Sequence, residues 1–225
     1  MLKDIPHRRA VPCYFDETVG NYIVDLKQFR QMVENDINNG LIPFFYGASI
    51  GTTFSGAVDQ IDEIGKICSE FGIWLNCDAA YLGSTWICEE FRDTQHGLGR
   101  ADSVVINFSK PLFMGSGGTM FYVADKKTFV KAMGSDLEFS FYKNKYSDMF
   151  NTIDYKDWQV GLNHRNNALR LYFLYKFFGM KALRESIRSR AKLAHYLEQK
   201  VVESKCFRLF SKPIFGLVCF QLNVQ

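Results

Sequence analysis

The chain has 225 residues, 47% of them hydrophobic and 23% charged, with a net charge of +3. That is enough material for one large domain or two small ones with a filled core, and the charge is too small and too scattered for a nucleic-acid surface or a polybasic tail. No stretch of ~18 apolar residues runs free of charge, the leading MLKDIPHRRAVPCYFDE lacks the apolar region of a signal peptide, and the six cysteines and four histidines show no metal-ligand spacing. We therefore expect no membrane span, no metal and no nucleic-acid partner, and the scattered thiols point to a reducing, cytoplasmic setting.

In chain order, Asp25 is placed to cap a helix, Leu26, Phe29, Met32 and Val33 recur on one face, and Gly40 stops it. LIPFFYGAS, residues 41–49, is too short and too aromatic for a helix and reads as a buried strand. IGTTFSGA follows as a loop of small and hydroxyl residues. Residues 59–71 carry Ile61, Ile64, Ile67, Cys68 and Phe71 at helical spacing and end at Gly72, and IWLNCD is the next strand. A strand–loop–helix–strand unit with strands apolar on both faces implies a parallel sheet covered by helices. DSVVINF and GTMFYV are further strands, the second followed by an Asp125 cap and a short helix. Residues 134–155 have no clean period and read as a long polar-aromatic loop of functional character. A long helix begins near Arg165, breaks at Gly179 and continues through Leu183, Ile187, Leu193, Leu197 and Val201. Its stripe from Leu169 to Phe178 reads as core or as a dimer interface. CFRLF and GLVCFQL close the chain as strands. Gly115-Ser116-Gly117-Gly118 reads as a turn into a strand, and His164, Arg165 and His195 as solvated helix residues.

In open α/β sheets ligands lie beyond the carboxyl ends of the strands. Three segments meet that description: hydroxyls from Ser49 to Thr53, the acid of Asp78-Ala79-Ala80, and the amine of Asn107-Phe108-Ser109-Lys110. Alone, Asp78 reads equally as a cap or a structural ion partner, and Lys110 as a solvated lysine. Together they make a pair with a chemical use. A lysine can form a Schiff base, and an acid across a flat ligand can hold a pyridinium proton. That is what pyridoxal phosphate requires, and Ala79 and Ala80 leave room for a ring.

GLIPFFYGASIGTTFSGAVDQIDEIGKIC, IWLNCDAAYLGS, NFSK, IDYKDWQVGLNHR and GLVCFQL, in this order, resemble the group II pyridoxal-phosphate decarboxylases, above all the aromatic-L-amino-acid and histidine decarboxylases. The resemblance implies an α/β chain of the aspartate-aminotransferase type (fold type I). Residues 1–133 would belong to the cofactor-binding large domain, 134–155 to the mobile catalytic loop, and 156–225 to a long helix and part of the C-terminal small domain. It implies pyridoxal 5'-phosphate as cofactor, an amino acid as substrate, an amine as product, and a homodimer with sites at the subunit interface. By position, Lys110 matches the Schiff-base lysine and Asp78 the acid at the pyridine nitrogen. Ala80 matches the small residue against the ring, and Asn107 and Ser49 fall at polar contacts to the cofactor.

Three departures from the family pattern stand out. NFSK replaces NPHK, so Ser109 stands where a cofactor-contacting histidine is usual. The family's chains run much farther on the N-terminal side, so the resemblance implies a truncated chain lacking the ring-stacking histidine and most phosphate-binding hydroxyls. The loop tyrosine that donates a proton after carbon dioxide leaves aligns with Phe139, with Tyr142 and Tyr146 as the other candidates. The alternatives to an amine-forming enzyme are accordingly an inactive relative keeping fold and dimer surface, or an oxygen-consuming enzyme that forms an aldehyde.

Overall fold

The computed structural model of the chain describes residues 7–133, 158 and 165–223. Its centre is a four-stranded sheet of β3 (Phe45–Ser49), β4 (Trp74–Asp78), β5 (Ser103–Asn107) and β6 (Thr119–Val123), in that order. The first three strands are parallel and β6 returns antiparallel. Ahead of it stand the hairpin β1 (Cys13–Asp16) and β2 (Asn21–Val24) and the helix α1 (Leu26–Asn38); α2 (Ile61–Phe71) crosses from β3 to β4. Behind it come α3 (Lys126–Met133), the long α4 (Asn167–Glu203) and the antiparallel pair β7 (Phe207–Leu209) and β8 (Phe220–Leu222).

The caps follow the local rules. Asp25 Oδ1 accepts the Gln28 N–H at 2.9 Å, and Gln28 Nε2 returns to Asp25 Oδ2 at 2.7 Å, a cap worth about 1 kcal/mol. Gly72 closes α2 and Asp125 caps α3. At Gly179 the backbone turns to φ 73°, a conformation that glycine adopts at little cost and that interrupts α4.

Two expectations are corrected. The strand expected over residues 41–49 covers only Phe45–Ser49, because Pro43 has no N–H to give to a ladder and Ile42 is left exposed. The sheet is also not apolar on both faces. Tyr46, Ala48, Leu75, Cys77, Val104 and Ile106 face α1 and α2 and join Phe29, Val33, Ile61, Ile64 and Ile67 in one core. The alternate positions Phe45, Gly47, Asn76, Asp78 and Asn107 lie on the opposite face, where Phe45 is 54% exposed. Strand residues alternate sides, so the apolar run IWLNCD hid a two-sided pattern. For the aromatic stripe of α4, expected as core or as a dimer interface, the structure excludes the first for most of its residues. Leu174 is buried with Leu183 and Ile187, but Leu169, Tyr172, Phe173, Tyr175, Phe177 and Phe178 are all exposed and are not core of this chain.

Two features were absent from the sequence reading. One is the β1–β2 hairpin, whose turn is held by the Asp16 carboxylate accepting from the Thr18 and Val19 amides. The other is the run of short 3-10 turns over Gly83–Ile87, Glu89–Gln95 and Leu98–Arg100.

Ion pairs tie these turns to the helices. Asp62 is held down to about 2 by hydrogen bonds from Lys66 and Arg100, and Glu90 to about 2 by Arg188. Their ordinary values are 3.8 and 4.5. A depressed carboxylate contributes its full stabilisation above the ordinary value and loses it as pH falls through the folded one. Urea-midpoint measurements are therefore expected to fall from about pH 4.5 to about pH 2, and Arg188→Gln to flatten that acid limb by removing the Glu90 partner. An acid limb of unchanged steepness in that variant would show that the Glu90 pair carries none of it.

Candidate active site

The elements converge at the carboxyl ends of β3, β4 and β5. Ser49 and Asp78 are register partners across β3 and β4, and Asp78 pairs with Val105 across β4 and β5, two residues short of Asn107. Asp78 is exposed on the open face. Its Oδ1 accepts the Ala80 N–H at 3.0 Å, and its main-chain oxygen accepts from Ile50 N at 2.8 Å. Ala79 is fully buried under it, and Ala80 is half-buried beside it.

After β5 the chain makes a tight turn. Asn107 Oδ1 accepts the Ser109 N–H at 2.8 Å, and its main-chain oxygen accepts from the buried Ser84 hydroxyl at 3.1 Å and from Lys110 N at 3.3 Å. Ser109 Oγ accepts from the Gly118 amide at 3.0 Å, so this hydroxyl is tied back to the start of β6. Lys110 follows, exposed, and Pro111 after it is fully buried. Arg190 of α4 donates to the main-chain oxygens of Lys110 and Pro111.

Ser49 is fixed through its backbone. Its N–H reaches the Asp59 carboxylate at 2.7 Å, and its carbonyl accepts from Asp59 N at 2.9 Å. Burial raises the Asp59 pKa, opposed by that Ser49 amide. Burial also lifts the Cys77 and Cys68 thiols to about 12, with nearby acidic groups adding to it. Cys77, one residue before Asp78 but on the opposite face, is therefore an inert core group. All six cysteines are free.

Five of the sequence-derived site residues thus share one end of the sheet: Asp78, Ala80, Asn107, Ser109 and Lys110, with Ser49 at the edge strand beside Asp78. Phe139, with Tyr142 and Tyr146, lies outside the described residues. The sequence reading missed Asp59, Ser84 and Arg190. Their roles depend on partners ten to eighty positions away, and no local pattern marks them. Among the described residues no group of three or more His, Cys, Asp or Glu side chains is arranged to hold a metal ion, and no helix is long and apolar enough to cross a membrane.

A carboxylate and an amine at neighbouring strand ends, small residues beside the carboxylate and an open face fit the donor set that a flat pyridinium carrying a carbonyl group needs. The family comparison agrees. Residues 11–223 match the pyridoxal-dependent decarboxylase conserved domain. The chain belongs to the pyridoxal-dependent decarboxylase family. It is 38% identical over 202 residues to the phenylacetaldehyde synthase of Arabidopsis thaliana, covering 90% of this chain and 41% of that protein. It is 35% identical over 204 residues to the aromatic-L-amino-acid decarboxylase of Rattus norvegicus, covering 91% and 42%. The crystal structure of an Oryza sativa TDC with PLP and tryptamine superposes with a TM-score of 0.87 at 31% identity, over 96% of this chain and 43% of that one. This decarboxylase-family chain therefore has the α/β fold of the PLP-dependent decarboxylases in part, and spans about two fifths of the length of the curated relatives it matches.

Proposed function

We propose that this chain carries the acid and the lysine of a pyridoxal-phosphate-dependent carboxy-lyase that takes carbon dioxide from an aromatic L-amino acid or histidine and leaves an amine. The observation that supports it most is the meeting of Asp78, Ala80, Asn107 and Lys110 at adjacent strand ends on the open face of the sheet. When bound, pyridoxal phosphate supplies an electron sink for the bond that breaks.

The chain's own residues have separable tasks. Asp78 uses Oδ1 for Ala80, which leaves Oδ2 to hold the proton on the ring nitrogen. Ala80 keeps that strand end low enough for a ring to lie on it. Lys110 would hold the carbonyl end of the cofactor through Nζ. Asn107, Ser109 and Ser49 offer polar contacts around the ring. In this reading residues 1–133 belong to the large domain, 134–155 form the catalytic loop and 156–225 begin the small domain.

We place the protein in the cytoplasm as a homodimer. Six free thiols support the compartment. The exposed Phe45 and Phe121 of the sheet, with the exposed stripe of α4, support a covering partner surface. A second reading, oxygen-consuming formation of an aldehyde, is favoured by Phe139 at the proton donor's position and by the likeness to the phenylacetaldehyde synthase.

The test is covalent trapping. Protein mixed with pyridoxal phosphate and reduced with borohydride is expected to carry the label on Lys110 in peptide mapping. Lys110→Ala is expected to lose it with an unchanged melting temperature. Label on another lysine, or on none, overturns the assignment. Oxygen uptake accompanying carbon dioxide release separates the two product readings.

A further inference from the structure

We propose that Arg190 is a positioning residue for Lys110: it clamps the turn from outside and so sets where the lysine amine stands. This inference rests on the reading of Lys110 given above and adds a residue on a different element, eighty positions away.

Four arginines of α4 bond to segments beside the sheet: Arg170 Nη1 donates to Ser116 O at 3.1 Å, ahead of β6, and the other three divide by helical spacing. Arg184 and Arg188, four residues apart and so on one helix face, both bind the 3-10 region. Arg184 Nε donates to Ile87 O at 2.7 Å, and Arg188 pairs with Glu90 at 2.6 Å. Arg190, two residues farther, lies round the helix and reaches the lysine turn instead. Its Nη1 donates to Pro111 O at 2.8 Å and to Lys110 O at 3.2 Å, and its guanidinium lies over the Phe113 ring, 4.6 Å from the centroid.

The turn needs such a clamp. Pro111 has no N–H to contribute. The turn is also held by Lys110 N to Asn107 O at 3.3 Å, Leu112 N to Phe108 O at 3.1 Å, Phe108 N to Gly118 O at 2.8 Å, the Ser109 N–H to Asn107 Oδ1 at 2.8 Å and the Gly118 N–H to Ser109 Oγ at 3.0 Å, but none of these uses the Lys110 or Pro111 carbonyl. Two successive carbonyls, those of Lys110 and Pro111, have no other hydrogen-bond partner among the described residues. A guanidinium held over the Phe113 ring satisfies both with a charge-assisted donor. A lysine has a long rotatable stem, so the rigidity of its main chain decides how much of its reach is productive.

The test compares Arg190→Gln, Arg190→Lys and Arg188→Gln in the full chain by two readouts. One is the pyridoxal phosphate concentration that half-saturates borohydride trapping on Lys110. The other is amide hydrogen exchange over residues 108–112. Arg190→Gln is expected to raise the half-saturating concentration roughly tenfold, to shift label onto other lysines and to speed exchange at Lys110 and Leu112. Arg190→Lys is expected to recover part of both effects, since an ammonium can donate to the carbonyls but lacks the forked guanidinium. It also serves if the glutamine variant does not fold. Arg188→Gln, which removes only the Glu90 pair, is expected to leave both readouts as in the wild type. Unchanged trapping in Arg190→Gln overturns the proposal, whether or not exchange quickens, because the turn would then be held without placing the amine. Reduced trapping with unchanged exchange also overturns it. If wild-type Lys110 takes no label, the reading of the site itself falls and the role of Arg190 towards the cofactor falls with it; exchange over 108–112 still decides whether the clamp exists.

Discussion

Asp78→Asn is expected to keep the trapped label on Lys110 while cutting carbon dioxide release from the accepted amino acid by roughly 10²–10³-fold, the usual cost of removing one preorganised electrostatic partner from a reacting centre. The substitution is isosteric. The asparagine Oδ1 can still accept the Ala80 N–H, which is the only side-chain hydrogen bond of Asp78 among the described residues. Folding and melting temperature should therefore hardly move. On the proposed reading, what is lost is the negative charge that would keep a ring nitrogen protonated, and with it the ability of the ring to take up electrons. Lys110, on the next strand end, keeps its turn and its capacity to be labelled. A variant that releases carbon dioxide as fast as the wild type would reduce Asp78 to a strand-end cap. A variant that also loses the label would mean that Asp78 acts in binding rather than in the chemistry.

Gly97→Ala is expected to destabilise the fold by about 2–5 kcal/mol, from the left-handed backbone and the overpacking together. Gly97 has φ 80°, and a Cβ there would stand 2.6 Å from the Asp62 Cα and against its amide nitrogen. Those neighbours are backbone at the start of α2 and cannot swing aside. The close approach also sets up the Asp62–Arg100 pair, because Arg100 N donates to Gly97 O at 3.0 Å and Arg100 Nε reaches Asp62 Oδ1 at 2.7 Å. Gly99, two residues on, meets nothing within 4 Å, and Gly99→Ala is the control, expected to shift the urea midpoint little. An equal loss at both positions would show that the Gly97–Asp62 contact carries none of the cost.

Local chemistry written in the sequence accounts for much of the frame. Asp25 before a 3.6-residue pattern, Gly72 after one, Gly179 within one and Asp125 ahead of a short one each mark a boundary, because the caps and breaks depend on groups within four residues. The strand end at Asp78 was legible for the same reason, whereas the next strand, expected to run to Phe108, ends at Asn107, and the tight turn that carries Lys110 came only from the structure. The β1–β2 hairpin was missed although Asp16, Thr18 and Gly20 carry its turn. Its strands, Cys13–Asp16 and Asn21–Val24, are each four residues long and too short for alternation to stand out.

What the sequence by itself determined about this protein is the order of its elements, the family they belong to, and the acid, alanine, asparagine and lysine that end two of the strands. Only the tertiary structure decided which face of the sheet is core, since IWLNCD opens on three apolar residues in a row, and only the packing of α1 and α2 shows that Leu75 and Cys77 are covered and that Asn76 and Asp78 lie on the other face. It alone decided that Asp59 holds Ser49, that Gly97 must lie against Asp62, that the aromatic stripe of α4 stays outside the core, and that Arg190 rather than Arg184 or Arg188 reaches the lysine turn. The reason is physical. Caps, breaks and alternation are set by near neighbours along the chain, whereas these contacts join groups up to eighty residues apart and exist only once packing has brought their backbones within hydrogen-bonding distance.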